Sequence, residues 1–443
     1  MRRLALIVAG MSVANACAVA PADDIWKGAS LFGRTEAKKC VYKVGEPIVF
    51  LVTPDLPNGL PKGDFTVKWE RTGDDGVKDA GTYPLTTNEW RYTTRLESPG
   101  FVRLDMHVVD TNGKRVCRFD RGWGDPVMFD GGAGAEIGKL TGPPEPEDFD
   151  AFWTARKERL AKLPIIADLK PITCETKGVK VYAVTVNCAG PRPVTGYVSI
   201  PDGKGEWPVE VSFMGYSKGG IQRPPKHSPA DRIHFEVNAH GYELGREKEY
   251  YAEFYESIKS GGESYAFDMK QNASRDQAYF SGMSWRVMRA LQYVKTLPQW
   301  NGRDLKVWGA SQGGLQAAWA AGLDPDVSEV VLQVVWCCDM KGCLTRPGWY
   351  VRWTPALDYY DPVNHARRFS RTCPVRIAKA GLGDYVSPPR GLACLYNAIP
   401  GPKSITWIQG AEHGYTPHRK DNPEYTFKTE DLNGDGPFRE PVK

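Results

Sequence analysis

Gly309-Ala310-Ser311-Gln312-Gly313-Gly314 decides the reading of this chain. An apolar strand-like segment, residues 305–309, leads into it, and a helical stretch, 313–322, leads away. A G-x-S-x-G between strand and helix is the nucleophile-elbow pattern. The reason is steric. A serine on so sharp a turn sits in strained backbone, and only small residues two positions to either side let the turn close. Gly309 and Gly313 meet that requirement. The helix N-terminus that follows favours negative charge developing on a bound substrate.

The flanking sequence supplies the sheet that such an elbow needs. Strand-like segments fall at 179–187, 194–200, 208–213, 233–237, 305–309, 329–336, 375–380 and 404–409. The later ones are apolar on both faces and alternate with helical stretches such as 284–296, which predicts a mostly parallel, eight-stranded sheet covered by helices. A helix is also expected over 148–163, with Phe149, Phe152, Trp153 and Leu160 on one face.

A serine hydroxyl is a poor nucleophile without a base, and in the α/β-hydrolase order the acid and then the histidine follow the serine. Asp384 follows the strand at 375–380, and His413 follows the strand at 404–409. Counted from residue 179, the serine comes after the fifth strand, the acid after the seventh and the histidine after the eighth. All three therefore lie at carboxyl ends, where an open parallel sheet places its ligand crevice. Ser311, Asp384 and His413 are the expected triad. Asp339, after the sixth strand, is the alternative acid. His365 and His418 are expected at the surface, His227 and His234 have no second triad element nearby, and Glu412 reads as a solvated neighbour of His413. Two N–H donors are needed for the oxyanion, and position assigns them to Gln312, directly after the nucleophile, and Tyr216, after the third strand. Trp336, at the end of the sixth strand, and Tyr216 are the candidate walls of the acyl pocket.

Before this region the pattern changes. Segments 41–53, 65–71, 91–97 and 101–110 alternate and are separated by turns such as Asn112-Gly113, which predicts a β-sandwich of immunoglobulin-like type over 21–135. The glycine-rich run 131–138 and Pro143-Pro144-Glu145-Pro146 mark a linker, set at 136–147. The catalytic unit then spans 148–420, and 421–443 is a polar tail. Within that tail Asp431, Asn433, Asp435 and Gly436 imitate a calcium loop, but Val442 stands where the bidentate Glu belongs.

Arg2 and Arg3 precede an apolar stretch that stops at Pro21, the pattern of a signal peptide over 1–20 and of a secreted or periplasmic protein. Lipid attachment at Cys17 is the lesser alternative. No later segment is apolar over a membrane-spanning length. Among ten cysteines, Cys40 with Cys117, and Cys337 or Cys338 with Cys343, are the pairs to test, against buried free thiols. No cysteine group has zinc-ligand spacing, and the chemistry requires neither metal nor cofactor. With 57 basic and 53 acidic residues and no basic run, a nucleic-acid partner is excluded. The expected partner is a small-molecule or oligosaccharide ester.

Over roughly residues 144–415 the chain resembles the acetyl xylan esterase and cephalosporin-C deacetylase family. The resemblance rests on Pro146-Glu147-Asp148-Phe149-Asp150-Ala151-Phe152-Trp153, Gly215-Tyr216, the Ser-Gln-Gly-Gly elbow, Tyr360-Asp361-Pro362-Val363-Asn364, and Gly381-Leu382-Gly383-Asp384 with Pro388-Pro389. It implies deacetylation of O-acetylated sugars by the same triad and oxyanion donors. Two stretches depart from the family: its Arg-Gly-Gln-Gly is here His240-Gly241-Tyr242-Glu243, and His413 is followed by Gly414 rather than Glu. Other readings are a prolyl-oligopeptidase-type serine peptidase, which lacks room here for a propeller of ~40-residue blades, and a non-catalytic glycan-binding protein.

Overall fold

Among the described residues, alternation of apolar and polar residues over 30–135 produces ten short strands, and near-continuous apolar runs after residue 179 produce the longer ones. The computed structural model describes residues 24–118, 124–203, 205–217, 221, 223–342, 349–417 and 422–431. The first group is β1 (Ser30–Thr35), β2 (Val41–Tyr42), β3 (Ile48–Asp55), β4 (Thr66–Gly73), β5 (Asp79–Pro84), β6 (Trp90–Thr94), β7 (Gly100–Val109), β8 (Cys117–Arg118), β9 (Asp125–Pro126) and β10 (Met128–Ala135). They form a three-stranded sheet, β1-β3-β6, a five-stranded sheet, β2-β10-β7-β4-β5, and the small pair β8-β9. The two larger sheets share one apolar cluster, with Phe50 and Val52 from one and Leu104, Met106 and Phe129 from the other.

The second group is β11 (Ala167–Ile172), β12 (Val179–Val186), β13 (Val194–Pro201), β14 (Trp207–Phe213), β15 (Ile233–Val237), β16 (Trp300–Ala310), β17 (Glu329–Gln333), β18 (Val375–Gly381), β19 (Lys403–Ile408) and β20 (Thr426–Asp431). These make one ten-stranded sheet in the order β11-β12-β13-β15-β14-β16-β17-β18-β19-β20. The eight expected strands are all present, and β11 and β20 extend the sheet at either edge. The sheet is mixed: β15 through β19 run parallel, while β11, β12, β13 and β20 pair antiparallel. Between β14 and β16 the strand order reverses, which opens the crevice beside the end of β16.

The helices are α1 (Phe149–Ala161), α2 (Lys248–Ser257), α3 (Met269–Asn272), α4 (Tyr279–Val294), α5 (Gln312–Leu323), α6 (Pro362–Ala366) and α7 (Pro389–Ala398). In α1 the expected residues Phe149, Phe152, Trp153 and Leu160 are buried, together with Arg156. Its guanidinium lies 4.4 Å from the Trp285 ring and donates to Ser281 Oγ at 2.5 Å, so the charge enters the core on an aromatic face. Alanine-rich α5 is buried nearly all round and packs on β14, β16 and β17. No helix among the described residues is long and apolar enough to cross a membrane.

Several expectations are corrected. The glycine run at 131–135 is strand β10, not linker. Glycine in a strand marks close approach of another backbone, and a Cβ on Gly132 would press on the carbonyls of Val102 and Leu382. The stretch after it is pinned as well, since Asn397 of α7 donates to the carbonyls of Ile137 and Leu140 at 2.8 and 2.9 Å. The tail is not free throughout: 426–431 is β20, paired with β19. Cys40, Cys337 and Cys338 are not disulfide-bonded, so neither expected disulfide forms; Cys117 is disulfide-bonded, but not to Cys40. The segment 1–20 with Cys17, Cys343, His418 and the calcium-like positions after Asp431 lie outside the described residues.

His365 is buried, not at the surface. The short helix α6 crosses α5 where Gly322 removes any side chain against it, and Phe149 and Trp153 close over the imidazole edge-on at 5.2 and 5.1 Å. Its Nε2 meets the Tyr359 carbonyl at 3.0 Å, and burial pushes its pKa down to about 3. An unfolded histidine titrates near 6.5, so the stability this site contributes is present above that pH and is lost as pH falls toward 3. In urea unfolding, the advantage of wild type over His365→Gln should shrink by roughly 2 kcal/mol between pH 7.5 and 5. An advantage independent of pH would contradict a buried neutral imidazole.

Candidate active site

Ser311 joins β16 to α5 with φ 57° and ψ −123°, a conformation that L-residues adopt only under constraint. The constraint is visible on both sides. The Ser311 N–H donates to the Gln333 carbonyl at 3.0 Å, and the Ser311 carbonyl accepts from Trp336 N–H at 3.2 Å and Leu315 N–H at 3.1 Å. A Cβ at Gly309 would collide with the Gly313 carbonyl, and one at Gly313 with the Phe213 carbonyl.

His413 and Asp384 come to the same point from the ends of β19 and β18. His413 Nε2 lies 2.8 Å from Ser311 Oγ, and its Nδ1 lies 2.9 Å from Asp384 Oδ2. The other carboxylate oxygen, Oδ1, accepts from the N–H groups of Val386 and Ser387, each at 2.9 Å. Asp384 is fully buried, so these bonds supply the solvation that water cannot. A carboxylate facing Nδ1 selects the tautomer protonated there, which leaves Nε2 free to accept from the serine hydroxyl. Lys379 steadies the histidine loop from below, donating to the carbonyls of His413 and Tyr415 at 3.3 Å each. Register shifts in the β17–β18 and β18–β19 pairings fall just before these loops, as bulges beside active sites commonly do.

The alternatives are occupied elsewhere. The Asp339 carboxylate accepts from Arg390 Nε at 2.9 Å and from Gly342 N–H at 3.2 Å. His234 Nε2 meets Ser212 Oγ at 2.9 Å, His240 Nδ1 meets the Tyr279 hydroxyl at 2.8 Å, and His227 is exposed beside Glu175. Glu412 is not the solvated neighbour expected from the sequence: it is half-buried, and burial first, then the nearby Asp105, pushes its pKa up to about 7.

Gln312 opens α5, where first-turn N–H groups have no helical acceptor. The loop carrying Tyr216 is tied to that helix by Gln316, whose amide donates to the carbonyls of Met214 and Gln312 at 2.9 and 3.1 Å. Gln316 was not legible as a site residue; only its place one turn after Gln312 hints at it. The Tyr216 ring stacks on Tyr265 at 4.4 Å and meets Trp349 and Trp336 edge-on at 4.6 and 5.8 Å. Trp336 is fully buried behind it, stacked on Trp349 at 5.2 Å and donating to the Trp349 carbonyl at 2.8 Å. Beyond Trp349 a cleft of about 480 Å³ is lined by Phe267, Ser264, Lys270 and Arg352 among others. No motif announces these aromatic residues, because their meeting depends on loops distant in sequence.

Residues 140–346 match the acetyl xylan esterase (AXE1) family. The acetyl esterase Axe7A of Xylanibacter ruminicola is 27% identical over 407 residues, covering 86% of this chain and 83% of that protein. Solved acetyl xylan esterases from Paenibacillus sp. R4 and Thermoanaerobacterium sp. JW/SL YS485 each superpose with a TM-score of 0.53, at 21% and 20% identity. They cover 65% of this chain and 96% and 95% of their own. These findings bear out the family resemblance and, for the fold, the α/β-hydrolase class.

Because Gly313 is locked against the Phe213 carbonyl, Gly313→Ala should lower the unfolding free energy by about 1–3 kcal/mol in urea titration, the usual cost of overpacking. A Gly313→Ala protein as stable as wild type would show that the turn has slack.

Proposed function

We propose that this carboxylic ester hydrolase, which resembles the acetyl xylan esterases, removes O-acetyl groups from carbohydrate through an acyl-enzyme formed on Ser311. The observation that carries the reading is the unbroken hydrogen-bonded chain Asp384–His413–Ser311 on a strained turn. His413 Nε2 takes the hydroxyl proton as Ser311 Oγ attacks the ester carbonyl, and returns it to the departing sugar oxygen. Asp384 stays ionised, orients the imidazole and balances its transient charge. The backbone N–H groups of Gln312 and Tyr216 receive the oxyanion. Water, deprotonated by the same histidine, then releases acetate. In this reading the N-terminal sheets form an immunoglobulin-like β-sandwich and residues 1–20 direct export. Neither a peptidase nor an inert glycan-binder is favoured.

Ser311→Ala should reduce kcat on p-nitrophenyl acetate by roughly 10⁴–10⁶-fold and abolish fluorophosphonate labelling, with circular dichroism unchanged. A Ser311→Ala enzyme turning over at the wild-type rate would remove the nucleophile from this reading.

The acyl pocket should be short. Each buried methylene gains about 0.8 kcal/mol where room exists, so an open pocket would favour longer acyl chains, and a closed one acetate. With Tyr216 as its wall and the buried Trp336 backing that ring, kcat/KM should be higher for acetate than for butyrate esters, and Trp336→Ala, which removes the backing, should narrow the gap. A wild-type preference for butyrate would sink the deacetylase reading while leaving the triad in place.

A further inference from the structure

The family match begins at residue 140, yet residues before it reach both loops that carry the acid and the histidine. Arg103 on β7 forms a two-pronged pair with Asp130 on β10, through Nε to Oδ1 at 2.8 Å and Nη2 to Oδ2. Asp130 is buried, and the same guanidinium lies over the ring of Tyr385, 4.2 Å from its centroid. Tyr385 directly follows Asp384. One residue before the acid, Gly383 sits so close to Asp130 that a Cβ would overlap its carbonyl. On the other side Gln409, at the end of β19, is fully buried and exchanges two hydrogen bonds with Gly132 of β10. It accepts from the Gly132 N–H at 2.9 Å and donates to the Gly132 carbonyl at 2.7 Å. Three consecutive residues of β10 therefore lie between the acid loop and the root of the histidine loop.

Such an arrangement is over-built for docking one unit on another. A surface-to-surface contact between domains is ordinarily polar, exposed and compliant. Here a planar guanidinium fork fixes angle as well as distance, and the Gln409 amide pairs with both backbone groups, N–H and carbonyl, of one residue. The charges around the fork also converge on the site: Asp105 on β7 lies 3.6 Å from Arg103, and Glu412 and Asp384 belong to the same electrostatic neighbourhood, with Arg115 and Lys379 as further cations. Arg103 is thus a cation among carboxylates that crowd the acid–base pair.

We infer that Arg103, Asp130 and Gln409 are positioning residues that set the Asp384 and His413 loops relative to Ser311, making the N-terminal sheet a working part of the active site. The inference rests on the triad reading above. Displacements of about 1 Å at a catalytic group cost up to roughly 10²-fold in rate, and β10 is packed directly against the loops on which such a displacement would occur.

The test uses the full chain, with p-nitrophenyl acetate as substrate and fluorophosphonate titration to count competent sites. Arg103→Met should lower kcat per titrated site by roughly 10- to 100-fold with KM within about twofold, and Arg103→Lys, which keeps the charge but not the fork, should fall between it and wild type. Because Arg103→Met leaves Asp130 buried without its partner, Gln409→Met provides a second route: it breaks both bonds to Gly132 and leaves no charge unpaired. The same loss of kcat at constant KM is expected from it, and if Arg103→Met does not fold, Gln409→Met decides alone. Wild-type kcat per titrated site in either folded variant would overturn the positioning role, as would a change confined to KM. Ser311→Ala is run alongside: activity surviving there overturns the triad, whereas serine-dependent activity with normal Arg103 and Gln409 variants overturns only this inference.

Discussion

The conformation of Ser311 is the constraint to which the surrounding structure answers. A serine at φ 57° and ψ −123° costs on the order of 1–3 kcal/mol in backbone strain, and it persists because neighbours on both sides require it. Gln333 at the end of β17 accepts its N–H, and Trp336 and Leu315 hold its carbonyl. The glycines either side permit a contact of backbone on backbone that no larger residue allows. What the strain secures is direction: Oγ is presented at the end of β16, where the histidine from β19 meets it. A relaxed serine at the same place in the sheet would point elsewhere.

That constraint explains why so much of the site was legible before the fold was known. The elbow is local in sequence, and chain order in a parallel sheet converts directly into position along one edge, so Asp384 and His413 could be placed by counting strands. Burial of α1 followed from the spacing of Phe149, Phe152, Trp153 and Leu160 for the same reason: a helix face is written in periodicity. What could not be read was anything requiring two distant segments to meet. The run at 131–135 has a linker's composition, and only the presence of Leu382 and Gln409 across from it reveals why side chains are missing there. His365 looked superficial because its helix is short and polar in sequence, while the rings of Phe149 and Trp153 that bury it lie some two hundred residues earlier. The cysteines failed similarly, since pairing depends on geometry that spacing does not carry.

Aromatic packing supplies the second layer of the site. Tyr216, Tyr265, Trp336, Trp349 and Phe267 interlock by stacked and edge-on contacts, each contact contributing about 0.5–1.5 kcal/mol beyond its buried area. Rings have few rotamers and little room to turn in such a cluster, so the backbone of Tyr216 is held by its own side chain. Polar groups enter at the cleft that Trp349 and Phe267 line, with Ser264, Lys270 and Arg352. The site thus grades from an aromatic cluster around Tyr216 to a cleft that also carries charged side chains.

The two strands that extend the sheet at its margins bear on how the protein behaves when crowded. A sheet of ten strands ends in two rows of backbone groups able to pair with another chain, and long flat margins of that kind seed aggregation. Here β11 is six residues long, carries Asp168 and Lys170 outward and contains Pro171, which has no N–H to offer. At the other margin β20 alternates buried Phe427 and Thr429 with exposed Lys428 and Glu430. Charge, brevity and a missing donor therefore stand at the margins where sheet-to-sheet annealing would begin, so concentrated solutions of the folded protein should resist it.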